Sequence, residues 1–75
     1  MAVPMIGSWL VEVQSAKPFA IHGDLYVELA VVRVESGEQA IVRVPQHAIS
    51  GAAPGAGERV ELTFLMGQVT AVKRV

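Results

Sequence analysis

The chain offers few groups for proton transfer or metal binding: two histidines, a single aspartate and no cysteine. His22 and His47 lie far apart in sequence, and neither has a carboxylate at metal-ligand spacing. His22 and Asp24 alternate at the entrance to a strand, where residues two apart share a face by default, so their spacing alone makes no catalytic pair. The glycine-rich run Gly51 to Gly57 lacks the Lys and Ser/Thr that a phosphate-cradling loop places after its last glycine. These residues predict no enzyme, no cofactor and no metal site.

Binding chemistry has more to stand on. Lys17, Phe19, Tyr26, Arg33 and Arg43 combine two aromatic rings with three cations, the residue types that stack on bases and neutralise phosphates. Trp9 and Phe64 alternate with valines and are expected in the core rather than in a binding face.

The elements that would position these groups are strands. The sequence has thirteen valines, with apolar residues at every second position, a pattern suited to a pleated sheet. A first strand is expected over Ser8 to Gln14, with Trp9, Val11 and Val13 on one face. The Pro18-containing segment Ser15 to Gly23 reads as a loop. A second strand is expected from Asp24 to Glu35. Its alternation changes phase, with Leu25, Val27, Leu29 and Val31 on one face but Val32 and Val34 on the other, so a bulge or strong coil is expected near Ala30 to Val32.

Ser36, Gly37 and Glu38 form the next turn, and Gln39 to Pro45 the third strand. A hairpin centred on Gly37 sets Val34 opposite Ala40, Arg33 opposite Ile41 and Val32 opposite Val42, which puts Arg33 and Arg43 on one face. The insertion Gln46 to Gly57 has room for one helical turn before its Gly/Pro-rich end. A fourth strand, Glu58 to Leu65, turns at Met66 and Gly67 into a fifth, Gln68 to Arg74.

Five short antiparallel strands around one buried face are expected to curl into a barrel with a short helical turn between strands three and four. The run Pro54-Gly55-Ala56-Gly57-Glu58-Arg59-Val60-Glu61-Leu62, with the hairpin Phe64-Leu65-Met66-Gly67-Gln68-Val69, resembles the closing strands of OB-fold domains. That resemblance covers the last third of the chain by sequence and the remainder by strand order. It implies a five-stranded OB-like barrel whose strand 2/3 face binds single-stranded DNA or RNA, carried here by Lys17, Phe19, Tyr26, Arg33 and Arg43.

Composition narrows the classes further. The 75 residues make one small domain, and 52% hydrophobic residues exclude intrinsic disorder. A net charge of −1 argues against duplex binding by bulk counterion release. The N-terminal residues have the wrong flanks for a signal peptide, and no apolar run has membrane-spanning length, so a soluble cytoplasmic protein is expected. So much apolar surface on so small a chain favours a homo-oligomer. Leu10, Ile41 and Leu65 fall on outward faces, and the apolar leader 1–7 has no place in the barrel. These keep open an adaptor that binds protein, with the leader adding a strand to a neighbour, and a barrel that takes a small ligand at a subunit interface.

Overall fold

Period-two alternation, interrupted by an extra residue in β1 and in β5, builds β1 (Ile6–Ile21), β2 (Asp24–Arg33), β3 (Gln39–Pro45), β4 (Arg59–Leu65) and β5 (Gln68–Arg74) in the computed structural model, which describes residues 4–75. They form one antiparallel sheet in the order β3-β2-β1-β4-β5. A lone 3-10 turn, Gln46–Ala48, lies between β3 and β4 where the helical turn is expected. The bounds of β3 and β5 are those expected from sequence. The sheet does not close. β3 and β5 remain its edges, and the segment after β3 reaches β5 through one parallel bridge between Ile49 and Val72.

β1 departs furthest from expectation. It runs on through Ser15 to Ile21, the segment read as a loop, and its first half pairs with β4 while its second half pairs with β2 alone. Pro18 is the reason a loop is expected, because proline cannot donate to a ladder. Register with β4 ends at Glu12, and the last hydrogen bonds on that side join Val13 to Gly57 and Glu58, so beyond Val13 β1 is an edge on one side and a missing N–H there costs nothing. The residues that reverse the chain are His22 and Gly23, both at positive φ (51° and 85°), a tight turn between paired Ile21 and Asp24.

A bulge is present, but in the partner strand. Register between β1 and β2 shifts between Val13 and Ser15, opposite Val31 and Ala30, leaving Gln14 as the extra residue. The shift flips the parity of β1. Trp9, Val11 and Val13 face the core before it, and Ala16 packs against the core after it. Of the apolar leader, residues 1–3 lie outside the described residues, while Ile6 and Gly7 pair with Leu65 and Phe64 of the same chain. At those two positions the pairing expected with a neighbour is made internally.

The core is one cluster in which Val11, Val13, Leu29, Val31, Val44, Val60, Leu62 and Phe64 are almost wholly excluded from water. Trp9 and Phe64 meet edge to face with centroids 4.9 Å apart, a geometry that sets the ring edge of one against the electron-rich face of the other. Both are core residues, as their alternation with valines predicts.

The β2–β3 hairpin has a register different from the expected one. Val32 pairs with Gln39, Val31 with Ala40 and Ala30 with Ile41, and the Arg33 N–H donates to the Glu38 carbonyl at 2.8 Å. The turn is therefore the longer loop Val34 to Gly37, with the Gly37 N–H donating to the Arg33 carbonyl. The offset is odd, and an odd slip moves side chains to the opposite face. β2 ends at Arg33, short of the expected Glu35.

The Gly/Pro-rich segment before β4 is held by two charged side chains. Arg74 donates to the carbonyls of Ser50 and Ala52, and Glu58 accepts from the Gly55 N–H and pairs with Arg74 at 3.4 Å. The Gly55 hydrogen bond, and then Arg74, hold the Glu58 carboxyl below its usual value of 4.5. A depressed carboxyl contributes stability that is present above the unfolded value and is lost as pH falls through the folded one. Acidifying from about pH 6 to about pH 3.5 is expected to lower the melting temperature of the native chain more than that of Glu58→Gln. Equal drops in the two proteins would remove Glu58 as a cause.

Candidate nucleic-acid interface

The outer face of β1, β2 and β3 carries two adjoining rungs. Phe19, Tyr26 and Pro45 are successive partners across the three strands, and Lys17, Glu28 and Arg43 are the next rung. The bulge at Gln14 makes this possible. Without the parity change, Lys17 and Phe19 would share the core face with Trp9, Val11 and Val13.

Phe19 and Tyr26 stack with centroids 5.5 Å apart and planes 21° from parallel. The Arg43 guanidinium reaches across the sheet to sit 5.7 Å from the centre of the Phe19 ring. A cation over an aromatic face adds about 0.5–1 kcal/mol at an exposed site and fixes the position of both groups. Phe19 and Tyr26 are half-buried, while Lys17 and Arg43 are exposed, so the rings form a floor in which each covers part of the other's face, with accessible cations around it.

Beside this floor the sheet edge opens into a groove of about 580 Å³, lined among others by Tyr26, Glu28, Ile41, Arg43, Pro45 and Gln68. Its base is core, formed by Val42, Phe64 and Val69. A second depression of about 450 Å³ shares Tyr26, Pro45 and Gln68 and adds Asp24 and His47. Tyr26, Pro45, Gln68 and Val69 thus line both hollows.

Four of the five expected site residues come together: Lys17, Phe19, Tyr26 and Arg43. Arg33 does not. It pairs with buried Val11, and its guanidinium lies 4.5 Å from the centre of the Trp9 ring, on the core side of the sheet, with an ion pair to Glu38 at 3.5 Å. The physical cause is the hairpin register, because the longer loop places Arg33 and Arg43 on opposite faces. Arg33→Ala is expected to leave oligonucleotide affinity unchanged within about twofold, while shifting Trp9 emission as the ring loses its cation. A large affinity loss in that variant, with Trp9 emission unchanged, would return Arg33 to the binding face.

Pro45 and Gln68 enter the site without a sequence signal of their own. They reach it because β3 and β5 are the two edges of the sheet and approach each other. The strand order could have suggested Gln68, since the Met66–Gly67 turn, with both residues at positive φ, ends beside it. His22 is exposed in its turn. Among the described residues, no three His, Asp or Glu side chains converge as a metal site would require. No family model, curated protein or solved structure is significantly similar to this chain.

Proposed function

We propose that this chain is a non-catalytic binder of single-stranded DNA or RNA, acting through the β1–β2–β3 face, and that it works as a homo-oligomer which pools modest individual sites. The observation that carries this reading is the stacked Phe19–Tyr26 floor with Arg43 above it and Lys17 on the adjoining rung. Aromatic floors bind unpaired bases whatever their sequence, because every base has a π face, and cations beside them take the phosphates. Duplex DNA offers no such faces, and the chain's net charge of −1 gives no general attraction to it.

Fluorescence anisotropy with labelled single-stranded oligonucleotides tests the reading. On a dT strand, where Lys17 and Arg43 both take phosphates, two contacts give a salt slope of about −1.4, so affinity falls about sevenfold between roughly 50 and 200 mM salt. Arg43→Ala lowers that slope by about 0.7. Failure to bind at high micromolar protein, with the chain folded, would overturn the proposal. Light scattering on the same sample reads the oligomer.

A second reading, a protein-binding adaptor, is favoured by one observation: Ile41, 68% exposed, stands on the unpaired edge strand β3. Edge strands recruit partner strands through their free backbone groups. In that case binding is indifferent to salt and is lost in Ile41→Asp but kept in Arg43→Ala.

A further inference from the structure

Glu28 is the residue that the nucleic-acid reading does not use. It lies in the middle of the second rung, register partner of both Lys17 and Arg43, and it lines the groove beside Tyr26. Neither cation makes an ion pair with it among the described residues, since Arg43 is turned toward Phe19. A half-buried carboxylate in a phosphate track would weaken binding. Facing a base edge, it has a use.

An ionised carboxylate only accepts hydrogen bonds, and its two oxygens suit a pair of neighbouring N–H donors. Among the bases, guanine presents such a pair, its N1–H and N2–H groups, and next to them the O6 acceptor. An arginine fork donates to guanine O6 and N7. Glu28 and Arg43 are directly opposite across β2 and β3, so one rung carries an acceptor pair and, once Arg43 swings back from Phe19, a donor fork beside it. The Tyr26–Pro45 rung lies two residues along each strand, about 7 Å away, so a base lying on it directs its edge toward Glu28 and Arg43.

Resting on the nucleic-acid reading, we infer that this site selects guanine: the base stacks over Tyr26, gives N1–H and N2–H to Glu28, and takes the Arg43 guanidinium at O6. Thymine and uracil have only one such donor, between two carbonyl oxygens that repel the carboxylate. Adenine and cytosine offer an amino group next to a ring nitrogen that is itself an acceptor. The site is thus complementary to one base edge and opposed to the others.

The test compares a labelled dT strand of about ten nucleotides with strands of the same length carrying isolated dG, dA or dC, spaced to prevent guanine self-association. The dG strand is expected to bind about tenfold tighter than the dT strand, the scale of one good bidentate contact. Glu28→Gln is expected to reduce that preference below about twofold while keeping or raising affinity for the dT strand, since it removes a negative charge from the track. A wild-type preference for dA or dC, or equal binding of all four strands, overturns the guanine assignment and leaves the nucleic-acid reading standing. Retention of the dG preference in Glu28→Gln overturns the role of Glu28. No binding of any strand overturns both.

Discussion

Phe64→Ala is expected to remove about a quarter to all of the stability of this chain. Phe64 is 1% exposed and packs edge to face on Trp9, so truncation leaves a cavity in a core that has no second layer to collapse into it. Such substitutions cost about 3–5 kcal/mol. A folded chain of this length has about 4–11 kcal/mol to lose, at roughly 0.05–0.15 kcal/mol per residue. Urea unfolding followed by Trp9 fluorescence is expected to show a midpoint lowered by at least about 2 M. A shift under about 0.5 M would mean that the sheet repacks without the ring, contrary to its central position.

The second large effect concerns the floor of the proposed binding face. Removing both rings, Phe19→Ala with Tyr26→Ala, is expected to weaken oligonucleotide binding by about 2–4 kcal/mol, which is roughly thirty- to eight-hundredfold. Stability should fall far less than in Phe64→Ala, because both rings lie on the outer face, half-buried and outside the core cluster. A double variant that is folded by circular dichroism and binds as tightly as the native chain would remove the aromatic floor from the mechanism. Tyr26→Phe separates stacking from hydrogen bonding and is expected to retain affinity within about twofold.

Much of this architecture could be read from residue order. β3 was legible to the residue as a period-two run, and β5 by the Met66–Gly67 turn before it, although its buried Val69 and Val72 are three apart across an extra residue at Thr70. Val60, Leu62 and Phe64 were legible as core by the same alternation. The long β1 was not, because Pro18 reads as a breaker until one knows that β4 stops pairing at Glu12. The bulge was sensed near Ala30 to Val32, but a phase change has the same appearance whichever of two paired strands carries the extra residue, and here it is Gln14 in β1.

The candidate site followed the same division. Tyr26 and Arg43 sit on well-read strands and emerged on the expected face. Lys17 and Phe19 emerged there too, though on a strand rather than in a loop. Arg33 was misplaced because a Gly37-centred turn and the actual four-residue loop differ by an odd register, and sequence alone does not choose between them. Glu28 could be assigned to the outer face but not to the middle of a basic rung, since that depends on two registers at once.

The division of β1 between two partners also dictates the order in which the chain can assemble. Its second half meets β2 across the two-residue His22–Gly23 turn, and β2 meets β3 across a short loop, so this three-stranded meander closes at small entropic expense. The start of β1, Ile6 to Leu10, must wait for β4, which lies on the far side of β2, β3 and the Gly/Pro-rich segment. Such distant pairing slows folding toward the millisecond-to-second range of small β proteins. Substitutions at Leu29 or Val44 are therefore expected to retard folding, whereas those at Leu62 mainly speed unfolding. The aromatic floor belongs to the early half, so the proposed binding face is expected to form before the sheet that buries Trp9 is complete.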